Sequence, residues 1–267
     1  MLERINTFQK LIADNLSGSS SILRMTIDWI LISLKEGVDG QSILDDLQSL
    51  CAHHPAMALL QNLHRSFTPQ SLKESSIHEW LNTYRQHETD ACRHFAGHLS
   101  NMKSVLVHSN SSLLLASLQS VAPSLSIFCT ESRPAFEGRL LAETLSRTHH
   151  RVCLVSDMAA FSMIARVDAL AFGCDSITSR GIVNKIGTAP LAQAARIEGK
   201  RNYFVATSEK WLPVWNDSLL TRQGSPQEIY DGSLSLPSTN YYFDLTGPGD
   251  IHGVFWENGL ETGLYPC

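Results

Sequence analysis

The chain has 267 residues, 43% of them apolar, and a formal net charge of −5. That is long enough for one large or two smaller domains, and the mild acidity gives no general attraction to nucleic acid or anionic membrane. The six cysteines carry no CxxC spacing, which argues against disulfides and structural zinc and points to a reducing cytoplasm.

Residues 2–15 place Leu2, Ile5, Phe8, Leu11 and Ile12 at helical spacing, which predicts an amphipathic helix. Ser17-Gly18-Ser19-Ser20-Ser21 interrupts the pattern and supplies capping hydroxyls for a second helix beginning near Ile22. Its apolar run to Leu34 is too short to span a bilayer and contains Arg24 and Asp28. Further helical patterns cover Ser42–Cys51, Ala56–Ser66 and Leu72–Leu99. No strand is expected before residue 103, so residues 1–102 read as a helical N-terminal subdomain.

From residue 103 the pattern changes. Val105-Leu106-Val107, Ser126–Cys129, Arg151–Val155, Val167–Phe172 and Asn202–Ala206 are short apolar runs separated by helix-length segments. This alternation predicts an α/β domain over residues 103–267, with a Rossmann-like, mostly parallel sheet flanked by helices. Asp217–Leu236 has little period and reads as a loop. Tyr241–Leu245 reads as the last strand, with a glycine-dotted tail behind it.

Ligands of open parallel sheets sit beyond the carboxyl ends of the strands, and the polar residues gather there. Asn110, Ser111 and Ser112 follow the first strand and open a helix, where hydroxyls and N–H groups suit sugars and phosphates, or merely cap the helix. Arg133 follows the second strand and offers a planar fork to phosphate, unless it pairs with Glu131 or Glu137. Asp175 emerges after an apolar strand through Gly173, where partial burial suits a carboxylate to acid–base work; the plainer reading is a turn cap. Asn184, Lys185 and Lys210 complete a set fit to hold hydroxyls and an anion. No residue cluster has metal-ligand spacing, and no cofactor is expected.

Three motifs in order carry a resemblance: Thr-Glu-Ser-Arg-Pro (130–134) with Glu137-Gly138-Arg139, Phe-Gly-Cys-Asp-Ser-Ile (172–177), and Asn184-Lys185-Ile186-Gly187-Thr188. Together they resemble the superfamily that joins the regulatory subunits of initiation factor 2B to methylthioribose-1-phosphate isomerase and ribose-1,5-bisphosphate isomerase. The resemblance covers nearly the whole chain and implies this fold, a two-fold dimer and Asp175 as the acidic group of the site.

Two positions depart from the enzymes. Where the isomerases carry Thr-His-Cys, this chain reads Val107-His108-Ser109, so a hydroxyl stands for the second catalytic group. A thiol exchanges protons near neutrality; an alkyl hydroxyl needs a base, and His108 as a strand neighbour points to the opposite face. Cys129 and Cys174 end buried strands and read as core. Where the ribose-1,5-bisphosphate isomerases have Arg-Gly holding a phosphate, this chain has Ser17-Gly18, although the helix N-terminus there still offers N–H groups. The expected function is a protein binding a phosphorylated sugar or nucleotide, with isomerase chemistry lost or altered. The alternatives are an active aldose–ketose isomerase using Asp175 and Ser109, and a non-catalytic interaction subunit. The expected assembly is a homodimer, with neither nucleic acid nor membrane as partner.

Overall fold

The computed structural model describes residues 2–14 and 17–262. Five helices come first: α1 (Leu2–Ala13), α2 (Ser19–Lys35), α3 (Gly40–His53), α4 (Ala58–Arg65) and α5 (Glu74–Leu99). The apolar periods expected of them close on one core that includes Leu11, Ile22, Trp29, Ile30, Leu47 and Leu63. The N-terminus of α2 is not capped by a serine hydroxyl. Gly18, which has no side chain, is its N-cap, while Ser19 and Ser20 fall inside the helix, where Ser20 meets the Tyr84 hydroxyl and Ser19 turns to Asp175.

The second part alternates β1 (Ser104–His108), α6 (Ser112–Gln119), β2 (Ser126–Thr130), α7 (Glu137–Leu145), β3 (Arg151–Val155), α8 (Asp157–Met163) and β4 (Ala169–Phe172). After these come β5 (Ser176–Thr178), β6 (Gly181–Lys185), α9 (Thr188–Ile197) and β7 (Arg201–Val205). The chain closes with β8 (Phe243–Thr246), β9 (Gly253–Trp256) and β10 (Gly259–Glu261). The main sheet runs β10-β9-β7-β4-β1-β2-β3 and is parallel except for β10. The fold is therefore the expected mixed α/β class, a mostly parallel sheet behind a helical N-terminal region.

Side chains alternate across the sheet with the strand period of two. Val105 and Val107 pack with Leu114, Leu141 and Phe95 on one face, while Leu106 packs with Ile164, Leu191 and Phe204 on the other. Each such buried side chain contributes roughly 1.5–3 kcal/mol by leaving water. The long helix α5 belongs to both cores: Ile77, Leu81 and Tyr84 join the helical one, and Ala91, Phe95 and Leu99 join the sheet.

Two expectations fail. Tyr241–Leu245 is not the last strand, since β9 and β10 follow and extend the main sheet. Nor does that stretch join the parallel sheet: β8 pairs antiparallel with β6, and β6 with β5, in a separate three-stranded sheet. Sequence pattern also shows no strand between β4 and α9, because β5 and β6, at three and five residues, leave almost no period to read.

Candidate functional site

Strand order reverses between β1 and β4, with β2 and β3 on one side and β7 and β9 on the other. A crevice opens at such a switch point, beyond the strand ends. Here it is a cavity of about 210 Å³ closed in by the N-terminus of α2, the start of α6, the small sheet and the loop before β8. Gly173 makes the close approach possible: a Cβ there would lie 2.3 Å from the Cβ of Ser111.

Of the residues expected at the site, Gly18, Ser109, Asn110, Ser111, Ser112, Asp175, Asn184, Lys185 and Lys210 all line this cavity. Arg133 does not. Its guanidinium lies over the Phe136 ring at 4.6 Å and donates to the Glu228 carbonyl at 3.0 Å. The turn that carries it is gripped from below, where Asp157 accepts from the backbone N–H of Ser132 (2.8 Å) and of Arg133 (2.7 Å). Neither Glu131 nor Glu137 is its partner; Glu131 takes Arg139.

Ser109 sits just past β1 in the left-handed region at φ 69°. Its N–H donates to Ser132 Oγ at 2.8 Å and its hydroxyl donates to Glu137 Oε1 at 3.2 Å. His108 turns the other way into the floor, as strand alternation requires. Its Nε2 lies 2.8 Å from the Ile186 carbonyl, which can only accept, so Nδ1 accepts from the Thr130 hydroxyl at 2.7 Å. Burial holds this imidazole below the usual histidine range. It is a neutral strut. Cys174 lines the cavity, but burial pushes its thiol up to about 12, and that of Cys129 likewise. Neither is a thiolate near neutrality.

Asp175 stands between the two cores. Burial raises its carboxyl above the ordinary range, opposed by Lys210, by the Ser19 hydroxyl and by Lys185. Lys210 is 3% exposed and donates to the Cys174 carbonyl. Its turn is fixed by Asn62, whose Nδ2 donates to the carbonyls of Glu209 and Trp211, each at 2.7 Å. Lys185 is also buried. Its Nζ lies 2.8 Å from Glu137 Oε1 and 4.9 Å from the centre of the Tyr242 ring. Asn184 donates to the Thr188 hydroxyl at 3.0 Å, which ties β6 to the start of α9. Asp244 on β8 secures the same junction by accepting from the N–H of Gly187 (2.7 Å) and Ala189 (3.1 Å). Burial pushes this carboxyl up to about 7 against those donors.

Two charged residues of the lining were missed as site residues. Glu137 was visible inside a motif and opens α7, yet only as a possible partner for Arg133. Arg222 comes from the stretch without period, which gave no signal for it. Its guanidinium is held by His54 Nδ1 at 2.9 Å and by the Asp14 carbonyl at 3.1 Å, beside Ser17. Among the described residues the lining thus carries Lys185, Lys210 and Arg222 against Glu137 and Asp175. Two helix N-termini add their N–H groups, a ready cradle for an anion.

The sequence profile of the initiation factor 2 subunit family matches residues 40–263. The chain belongs to this family. Ribose 1,5-bisphosphate isomerase of Methanocaldococcus jannaschii is 29% identical over 62% of this chain and 56% of its own length. Methylthioribose-1-phosphate isomerase of Rhodopirellula baltica is 34% identical over 89% of this chain and 72% of its own. The chain spans about half the length of several relatives, 52% of the Archaeoglobus fulgidus ribose 1,5-bisphosphate isomerase and 48% of the Leptospira interrogans methylthioribose-1-phosphate isomerase. Among solved structures, the Pyrococcus horikoshii translation initiation factor eIF-2B superposes with a TM-score of 0.88, covering 99% of this chain and 98% of its own at 22% identity. That likeness is one of fold. Among the described residues no helix is long and apolar enough to cross a membrane.

Proposed function

We propose that this family member binds a small phosphorylated sugar in the cavity and lacks the thiol-dependent isomerase step of its enzymatic relatives. The observation that carries this reading is the convergence of Lys185, Lys210 and Arg222 with two helix N-termini around Asp175. Phosphate satisfies the cations and N–H donors, and sugar hydroxyls suit Asn110, Ser111, Ser112 and Asn184. A volume of about 210 Å³ falls below the ~300 Å³ at which sites for drug-sized ligands begin. The ring of Tyr242 already faces Lys185 and Arg222, so it offers no free face to a base. Both points favour a sugar phosphate over a nucleotide.

The chemistry turns on Ser109. Aldose–ketose isomerisation moves a proton between neighbouring carbons and their oxygens, so it needs a group that accepts a proton near neutrality. Asp175, with its raised affinity for protons, is suited to the acid half. Ser109 is not suited to the other half, and the nearby thiols are held neutral. In an isomerase assay with pentose phosphates, the wild-type chain should turn over at or near background. Ser109→Cys should raise the rate at least about tenfold, as expected of a restored acid–base group, and adding Asp175→Asn should abolish the gain. High activity in the wild type, lost in Asp175→Asn, would establish the enzyme reading instead. Calorimetry showing no affinity for any sugar phosphate would remove the binding reading itself.

We further propose that the protein works in a reducing cytoplasm, from its cysteine usage, and that it is a homodimer like other members of its family. Edge strand β3 supports the second point, since Arg151, Cys153 and Leu154 are exposed on it. Light scattering on the purified chain tests it.

A further inference from the structure

Resting on the sugar-phosphate reading, we infer that His87 is a positioning residue for the ligand. It lies on α5, outside the cavity lining. It holds Glu209, and through Glu209 the turn that aims Lys210 into the site. A lysine ammonium is strongly hydrated and rides on a flexible four-carbon stem, so one that is only 3% exposed needs a firmly fixed base. Lys210 ends the short turn Ser208–Lys210 that follows β7, and its ammonium donates to the carbonyl of Cys174, the residue before Asp175. The turn closes on itself through the N–H of Lys210 to the Thr207 carbonyl (2.9 Å) and the N–H of Trp211 to the Ser208 carbonyl (3.0 Å). Those bonds shape the turn and leave its orientation to whatever grips it from outside.

Three grips come from distant parts of the chain. Asn62 on α4 takes the carbonyls of Glu209 and Trp211. Glu257, just past β9, accepts from the Ser208 N–H at 3.2 Å. His87 donates from Nδ1 to Glu209 Oε1 at 2.7 Å, and Glu257 Oε1 stands 3.9 Å from the same nitrogen. The first two hold backbone; His87 alone of the three holds a side chain of the turn. Glu209 is 13% exposed, and its Oε2 is buried with no hydrogen-bond partner among the described residues. A carboxylate so placed stays inside only while its donor is present. Without the imidazole, desolvation favours turning Glu209 out to water. Lys210 is the next residue, so its stem is redirected by the same rotation. The helical region thereby sets the direction of one cation of the site without touching the ligand.

Titration calorimetry with ribose 5-phosphate, ribulose 5-phosphate and ribose 1-phosphate tests this on the wild-type chain, His87→Leu, His87→Asn, Lys210→Met and the His87→Leu, Lys210→Met double variant. His87→Leu removes the donor and should weaken the best-bound sugar phosphate about tenfold. His87→Asn, whose amide N–H can stand where Nδ1 stands, should recover most of that loss. In the Lys210→Met background, His87→Leu should cost less than about twofold, because no ammonium is left to misdirect. A merely structural role would instead make the two losses add, and that sum overturns the inference. Wild-type affinity in His87→Leu or in Lys210→Met overturns it too, while the sugar-phosphate reading stands. If no sugar phosphate binds the wild type, both fail. Where Lys210→Met binds too weakly to titrate, a folded His87→Asn that recovers nothing overturns the inference. Should His87→Leu not fold, Glu209→Ala, which strands no charge, takes its place in the same cycle, with the same loss expected and the same sum against it.

Discussion

The two walls of the cavity are built by different means. The parallel-sheet wall, from the ends of β1 and β4, presents mostly uncharged donors: Ser109, Asn110, Ser111 and Ser112. The wall made by the β5-β6-β8 sheet and the loop before β8 presents Asn184 with two cations, Lys185 and Arg222. Strand ends in a parallel sheet are fixed by the core on both faces, so they position neutral groups accurately at little electrostatic expense. The small sheet has its own apolar base, where Val183 packs with Ala58, Leu212 and Leu219, and so brings buried charge to the ligand from outside the main frame. Recognition of the fold and supply of charge are thus separable in this molecule.

The largest effect that would break this division is expected from Lys185→Met. Lys185 is 8% exposed and its partner Glu137 18%, so removing the ammonium strands a carboxylate in the cavity. Breaking a buried ion pair in this way costs about 3–5 kcal/mol, and the low end applies because Glu137 borders the cavity. Urea unfolding should show a loss of about 3 kcal/mol, and ligand affinity should fall by about a hundredfold or more. A stable variant that still binds would place the essential charge on the other residues.

Gly173→Ala attacks the opposite wall. The added methyl would lie 2.3 Å from Ser111 Cβ, a backbone-anchored atom that cannot swing aside, so the start of α6 must move. Overpacking of this kind costs about 1–3 kcal/mol, and a displaced α6 should weaken sugar binding about tenfold through lost alignment. Thermal unfolding and calorimetry together check it. An unchanged affinity in a destabilised variant would show that the neutral wall only encloses the ligand.

How much of this was legible in the sequence follows the same division. The parallel strands announced themselves, because a strand buried on both faces is a continuous apolar run such as Ala169–Phe172. The polar residues after each run could then be assigned to one rim without coordinates. Lys185 and Asn184 were found as members of a motif, but β6, which carries them, was not seen, since Gly-Ile-Val-Asn-Lys is too short to show a period. Arg222 was invisible: it lies in a stretch rich in Gly, Ser and Pro, and tertiary contacts, among them those to His54 and Asp14, bring it to the cavity. Glu137 was seen but misassigned, because sequence neighbours suggested Arg133 where the fold supplies Lys185.

Arg133 gives the smallest expected effect and the sharpest test of where the charged wall ends. As a planar cation after a strand it resembles a phosphate clamp, yet its guanidinium stacks on Phe136 and holds the Glu228 carbonyl. Glu228 in turn accepts from the Tyr242 hydroxyl and from Asn240, so Arg133 fastens the loop that also carries Arg222. Arg133→Ala should therefore cost stability about 1 kcal/mol, the scale of one cation–π contact plus a hydrogen bond. Sugar-phosphate affinity should stay within about threefold, a shift below one decade in binding free energy. A hundredfold loss at unchanged stability would mean that the guanidinium leaves Phe136 and enters the cavity when the ligand binds, and the charged wall would then extend to the parallel sheet.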